Sequence, residues 1–203
     1  MIDYLTLMLV ALTAGLALAA VFFARALASP SAAQCTPSGT CCPHTNSFAA
    51  GFAAIGLVLL VTGLHMTLTW PLPKMAKANL TFANMAFGEN AVLFGAILLG
   101  AALALARGWS LLPVSIFAFF AGIAAVIVGL AIAQLGLTAR PELSSTGFIL
   151  SGTGGILSPF VLLKPAKLLR YVEAVILLAA AGIWALTGYG AYWMHMASFS
   201  KVG

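Results

Sequence analysis

Charged side chains are scarce in this chain. Nine basic and four acidic residues amount to 6% of its 203 residues, whereas 63% of the residues are hydrophobic. A water-soluble domain of this composition would lack the polar surface needed to cover its core, but a bilayer requires no such cover. The composition therefore excludes an ordinary soluble fold and predicts an integral membrane protein.

Other absences narrow the function. The basic residues give a net charge of +5, but they are spread between apolar runs and form no continuous surface for phosphates, which excludes a nucleic-acid partner. The glycine-rich segment 151–155 is not followed by Gly-Lys-Ser/Thr, so it is not a nucleotide-binding loop. No catalytic signature favours an enzyme, and the lack of an internal repeat counts against a secondary transporter.

What the sequence does contain is a series of apolar runs that are long enough to cross a bilayer. An α-helix rises about 1.5 Å per residue, so roughly 20 residues cross a hydrocarbon layer of about 30 Å. We predict one all-α transmembrane domain over residues 1–203, a polytopic helical bundle that contacts the lipid bilayer. Five spans are expected at about residues 4–25, 48–70, 84–107, 111–137 and 171–193. Gly122, Gly129 and Gly136 recur every seven residues and predict a closely packed helix face.

Residues 146–163 are ambiguous, because they are apolar but contain four glycines (Gly147, Gly152, Gly154 and Gly155) and Pro159. Such a segment is either broken or re-entrant, where protein or a cavity satisfies its backbone, or it is a kinked sixth span. With five spans, six basic residues lie on the face of the N-terminus and three on the other, whereas six spans give four against five. We therefore predict five spans in the cell (inner) membrane with a cytoplasmic N-terminus, and six spans are the alternative.

Polar side chains gather at the ends of the predicted spans. A carboxylate beside a histidine in a half-dry site can relay a proton, hold a divalent metal or bind a polar headgroup. The alternative is a set of interfacial charges that pair with one another, such as Arg140 with Glu142. The five-span arrangement predicts one polar site at a membrane face, formed by His65, Trp70, Asn84, Glu89, Arg140, Glu142 and Glu173.

A cysteine-containing loop is predicted at residues 29–47, where small, polar and turn-forming residues replace the apolar run. In the five-span orientation the loop is extracytoplasmic, and a disulfide from Cys35 to Cys41 or Cys42 can form there. Together with His44, the thiolates also suit zinc or copper, although the spacing lacks the Cys-x2-Cys pairs of strong zinc sites. Inert thiols are the third alternative.

A second group of candidate metal ligands lies near the C-terminus, where Met194, His195 and Met196 follow one another. Thioether and imidazole groups suit Cu(I) or the axial position of a haem. With five spans, His44 shares a face with His195, and one copper site could draw on both. The alternative is that these residues anchor the helix at the interface beside Trp193, as aromatic residues commonly do.

Three short motifs resemble those of a known family: Thr69-Trp70-Pro71-Leu72-Pro73, Asn84-Met85-Ala86-Phe87-Gly88-Glu89, and Trp193-Met194-His195-Met196 with Ser198-Phe199. The chain resembles an uncharacterised family of small polytopic membrane proteins from bacteria and archaea, classified as a domain of unknown function. The resemblance implies a membrane location and a bundle of several helices. It implies no activity, cofactor or catalytic residue, and the cysteine-containing loop is not associated with it.

Three functions are compatible with these features. The first is a non-catalytic small subunit or scaffold in a membrane assembly, with other subunits or further copies of itself as partners. The second is a transporter or channel for a proton or a small polar solute, which would use His65, Glu89 and the segment 146–163. The third is a membrane redox component that handles copper or haem through His44, His195 and their neighbours.

Overall fold

The computed structural model describes residues 4–25, 43–72, 81–164 and 166–199, and all regular structure in these ranges is helical. Six helices in these ranges are long and apolar enough to cross a membrane. The helices are α1 (Tyr4–Arg25), α2 (Pro43–Thr69), α3, α4 (Leu112–Leu135), α5 (Pro141–Leu163) and α6 (Lys167–Phe199). Helix α3 begins with the turn Thr81–Ala83, continues as a π-helical segment, Asn84–Glu89, and ends as the α-helix Asn90–Arg107. The prediction of an all-α bundle of apolar helices is confirmed.

The segment 146–163 is part of α5, which is a continuous helix. The expectation of a broken or re-entrant segment is therefore wrong. Proline at position 159 has no N–H to donate to the carbonyl of Gly155, which would leave a gap in the hydrogen bonding. The hydroxyl of Ser158 fills that gap by donating to the Gly155 carbonyl at 2.9 Å. Because the freed carbonyl has a partner, the helix continues through the proline.

The six helices form a closed ring in chain order. Each helix packs against the next, and α6 closes the ring by packing along α1. Short connections after Gly108 and Gly136, which adopt left-handed φ values of 66° and 60°, turn the chain back on itself. Neighbouring helices are therefore antiparallel. We call the end with the start of α1 and the ends of α2 and α6 the terminal end, and the other end the far end.

Glycines bring the backbones of neighbouring helices into contact. A Cβ atom added to Gly152 of α5 would lie 2.5 Å from the carbonyl oxygen of Gly122 on α4. A Cβ on Gly95 of α3 would lie 2.6 Å from the backbone nitrogen of Leu60 on α2. Side chains are excluded from both places, which is how small residues allow close helix packing in membranes.

The seven-residue glycine repeat of α4 has two different roles. Gly122 and Gly129 face α5, as the pattern predicts, since a Cβ on Gly129 would lie 3.0 Å from the Ser145 carbonyl oxygen. Gly136 instead ends α4 in the left-handed conformation, with no atom within 4 Å of a Cβ added there. A repeat that reaches the end of a helix thus serves capping as well as packing.

Large apolar side chains cover the outside of the ring. Phe120, Val175 and Leu186 are each more than 60% exposed. Side chains of this kind would be unfavourable in water but are suited to acyl chains. The outer surface is therefore compatible with lipid contact, as expected of an integral membrane protein.

Candidate functional site

The helices of the ring line a cavity of about 170 Å³. All six helices contribute to its wall, which is almost entirely apolar and includes Leu16, Phe94 and Phe148. Its polar side chains are few: Asn90, Ser115, Ser151, Ser158, Glu173 and Trp184. Glu173 is therefore the single ionisable side chain among the described residues of the wall.

The other polar groups of the wall donate their hydrogen bonds to the protein itself. Asn90 Nδ2 donates to the Ala86 carbonyl at 2.7 Å. The hydroxyls of the three serines donate to carbonyls of their own helices: Ser115 to Leu112, Ser151 to Gly147 and Ser158 to Gly155, at 2.8, 2.8 and 2.9 Å. Trp184 Nε1 donates to Ser151 Oγ at 2.9 Å. These bonds leave the wall with few donors that could reach into the cavity.

Glu173 differs from these groups. Its side chain is fully buried, at 0% exposure, and neither carboxyl oxygen has a hydrogen-bond partner among the described residues. Helix α6 places it there because Glu173 follows the same spacing as the buried Leu177, Ala180 and Trp184, which face the core. The carboxyl occupies a position where an apolar residue is expected.

Gly154 of α5 makes room for this carboxyl. A Cβ on Gly154 would lie 3.5 Å from Glu173 Oε1 and 2.5 Å from Leu177 Cδ2. One turn before Glu173, Arg170 is also buried, with 7% exposure, and its Nε has no hydrogen-bond partner among the described residues. A buried polar group without a partner costs about 1–3 kcal/mol, and more when it is charged. An acid retained at such a cost indicates a function.

The structure separates Glu173 from the other residues of the predicted membrane-face site. His65, Trp70, Asn84, Glu89, Arg140 and Glu142 lie toward the terminal end of the ring. Glu173 packs beside Gly154, which lies about 18 Å along α5 from Glu142 at 1.5 Å per residue. The separation arises because α5 runs the length of the ring, so that α6 starts from the far end.

Most of the terminal-end residues lie on the outside of the ring. The side chains of His65, Glu89, Arg140 and Glu142 are all exposed. His65 Nδ1 lies 3.3 Å from the hydroxyl of Thr69, one turn later on α2. These side chains can therefore meet lipid headgroups or solvent, but they do not line the cavity.

Asn84 is the buried member of that set, and it joins α2 to α3. Trp70 ends α2 with a left-handed φ of 46°. Two residues later, the backbone of Leu72 donates to Asn84 Oδ1 at 3.2 Å and accepts from Asn84 Nδ2 at 3.0 Å. Asn84 begins the π-helical segment of α3, a type of structure that is rare and frequent at functional sites. The segment leads directly into Asn90, which faces the cavity.

The candidate metal and disulfide residues are only partly described. Cys35, Cys41 and Cys42 lie outside the described residues, as does the side chain of His44. Met194, His195 and Met196 are exposed near the end of α6, at the terminal end, whereas α2 begins at Pro43 at the far end. The structure therefore does not bring His44 and His195 to the same end. Within the described ranges, no group of three or more His, Cys, Asp or Glu residues could hold a metal ion.

A known protein family matches nearly the whole chain. Residues 1–198 match the family described as "Protein of unknown function (DUF981)". The chain belongs to this family. The match confirms the resemblance found in the short motifs and covers the ring of helices and the cavity alike. No curated protein and no solved structure matches this DUF981 protein.

Sequence reasoning missed most of the cavity wall of this DUF981 protein. Ser115, Ser151, Ser158 and Trp184 are unremarkable in a sequence, because serine is common in apolar helices and tryptophan is common at interfaces. One signal could have distinguished Glu173: apolar residues follow it at positions i+4, i+7 and i+11, which places all four residues on one helix face. An acid in that register is predicted to face the core and not the membrane surface.

Proposed function

We propose that this protein is an integral membrane protein of six spans whose central cavity binds a small, mostly apolar molecule. The observation that carries the proposal is the apolar cavity of about 170 Å³ inside the ring. An engineered apolar cavity of about 150 Å³ in another protein binds benzene. A group of similar size, such as an aromatic ring or a short acyl segment, would therefore fit here.

The energetic cost of the cavity supports a binding role. Protein interiors are packed as densely as organic crystals, with few voids larger than a water molecule. Apolar groups that line such a space lack the dispersion contacts that a closely packed interior would give them. A ligand that restores the missing contacts would gain that free energy.

Filling the cavity from its wall tests the proposal. Ala118 of α4 lines the cavity and is 7% exposed, whereas Ala133 of the same helix is exposed on the outside. Ethylbenzene binding is measured by isothermal titration calorimetry on protein in lipid nanodiscs, with empty nanodiscs as the background. We expect Ala118→Leu to weaken binding several-fold and the matched Ala133→Leu to leave it unchanged. Ala121→Leu, also in the wall, provides a second variant should Ala118→Leu fold poorly.

Two results would refute the cavity as the binding site. Wild-type protein that takes up no more ethylbenzene than empty nanodiscs has no such site. Equal binding by the inner and outer leucine variants would place the ligand on the lipid-facing surface instead.

A second candidate function is that of a subunit or scaffold in a larger membrane assembly. It is supported by Gly182 and Gly190 of α6, which are exposed and have no atom within 4 Å of an added Cβ. A helix of another subunit, or of a second copy, could approach α6 closely there. The test is the oligomeric state in nanodiscs, where the double variant Gly182→Leu and Gly190→Leu should dissociate the assembly. A wild-type protein that is already monomeric would exclude self-association.

The other two candidate functions have less support. A channel for a small polar solute is disfavoured because the wall has few polar groups, and those other than Glu173 are bonded within the protein. A copper site shared by His44 and His195 would need residues from opposite ends of the ring. Both hypotheses remain testable by solute flux in liposomes and by elemental analysis of the native protein.

A further inference from the structure

The geometry points to a protonated amine on the molecule that the cavity binds, with its N–H groups donating to the carboxylate of Glu173. This inference rests on the proposed function of the cavity and names the class of its ligand. A ligand of this class combines a small apolar body with one ammonium group.

The protein leaves the Glu173 carboxyl without a hydrogen-bond donor among the described residues. Both carboxyl oxygens of Glu173 are acceptors inside the ring, and neither has a partner among the described residues. The serine hydroxyls and the Trp184 indole donate to other protein atoms, and so does one N–H of the Asn90 amide. A ligand that satisfies this carboxyl must therefore bring the hydrogen-bond donors itself.

The described wall also provides no opposite charge for the Glu173 carboxyl. Among the described wall residues, Glu173 is the sole ionisable side chain, so the cavity contains no cation of its own. Arg170, one turn away on α6, is not part of the wall, and its Nε does not bond to either Glu173 oxygen. An isolated carboxylate in an apolar environment is so strongly destabilised that the acid keeps its proton, unless an opposite charge accompanies the carboxylate. An ammonium group supplies that charge as well as three donors.

Other ligand groups supply fewer donors or the wrong charge. A hydroxyl contributes one donor and no charge, and a carbonyl contributes no donor at all. A carboxylate or phosphate would be repelled by an ionised Glu173. The ammonium group is thus the one that meets both needs of the site, and the apolar remainder of the cavity accommodates a ring or a short chain.

A pair of matched probes tests the inference. Benzylamine is protonated at neutral pH, and ethylbenzene is its neutral counterpart of nearly the same shape. Binding of each to the full-length protein in nanodiscs is measured by isothermal titration calorimetry against empty nanodiscs. We expect wild-type protein to prefer benzylamine by about tenfold or more, because hydrogen bonds to charged groups are the stronger ones.

Glu173→Gln should abolish that preference and leave ethylbenzene binding intact, since the amide keeps the size of the side chain but not its charge. Glu142→Gln is the control, because that carboxyl is exposed about 18 Å away along α5 and should not affect either probe. Retained ethylbenzene binding also shows that the Glu173→Gln protein is folded.

The outcomes separate the two proposals. If ethylbenzene binds but benzylamine binds no better, the inference about the amine is wrong and the cavity proposal stands. If the benzylamine preference survives Glu173→Gln, the ammonium group is bound elsewhere and the inference is also wrong. If neither probe binds, the proposed function itself is refuted.

Discussion

Replacing Gly152 by alanine tests the close packing of α4 and α5 on which the ring depends. The added Cβ would lie 2.5 Å from the carbonyl oxygen of Gly122 and 3.0 Å from the backbone nitrogen of Val126. Backbone atoms cannot rotate away as a side chain can. The two helices would therefore have to move apart by about half an ångström or more, which loses dispersion contacts along the helix pair.

The expected magnitude follows from two opposing terms. Overpacking of this kind costs about 1–3 kcal/mol. Alanine also favours a helix over glycine by up to about 1 kcal/mol, which offsets part of the loss. Gly100→Ala of α3 is the matched control, because an added Cβ there meets only the Val114 side chain, at an ordinary contact distance of 3.4 Å. The helix-propensity term is common to both variants, so the difference between them should be the overpacking cost alone, about 1–3 kcal/mol.

The free energy of unfolding can be measured by titrating SDS into mixed micelles and following the loss of helical circular dichroism. We expect Gly152→Ala to unfold at lower SDS than wild type and Gly100→Ala to unfold at the same or higher SDS. Equal stability of the two alanine variants would mean that α4 and α5 do not meet at Gly152, and the described packing would be wrong.

Three further predictions follow. Asn84→Ala should lower the free energy of unfolding by about 1–3 kcal/mol in the same assay, because the Leu72 backbone loses both of its hydrogen bonds to the Asn84 side chain. An unchanged unfolding midpoint would show that these two hydrogen bonds do not stabilise the protein. Glu173→Met should raise stability by about 1–3 kcal/mol, since it removes two buried oxygens without partners, and a loss of stability would show that they are satisfied. Six spans predict that, with the native cysteines replaced by serine, Thr138→Cys and Lys164→Cys are labelled from opposite sides of the membrane. Labelling of both cysteines from the same side of the membrane would instead support five spans.

The helices could be predicted where the apolar run alone determines them. The first span was predicted at residues 4–25, and α1 is Tyr4–Arg25; the fourth was predicted at 111–137, and α4 is Leu112–Leu135. Helix length follows from hydrophobic thickness, so composition is sufficient there. The start of α2 at Pro43 was not predicted, because its first residues are polar and resemble the preceding loop.

The continuity of α5 could not be predicted from local sequence. Its glycines and Pro159 all disfavour an isolated helix, which is why a broken segment was expected. In the folded protein, the backbone of α4 packs on Gly152, and the Ser158 hydroxyl replaces the hydrogen bond that proline cannot make. Both compensations depend on tertiary contacts or on side-chain geometry that a propensity does not contain.

The candidate site shows a similar limit. Glu173 was included in the predicted polar site, but its neighbours there depended on the number of spans. Because α5 is a continuous helix that runs the length of the ring, Glu173 lies beside Gly154 and away from His65 and Glu89. The cavity itself is a property of six helices together, and no periodicity in a single helix predicts the space between them.

The cavity and the packing of the ring depend on the same small residues of α5. On one side, Gly152 lets the backbone of α4 approach; on another, Gly147 accommodates the Trp184 ring, which a Cβ would meet at 2.8 Å. Gly154 leaves the space that Leu177 and the Glu173 carboxyl occupy. Larger side chains at these positions would push α4 and α6 outward and displace the acid from the wall. The composition that makes α5 a poor helix in isolation is therefore what allows α4 and α6 to approach it and leaves a buried carboxyl facing the cavity.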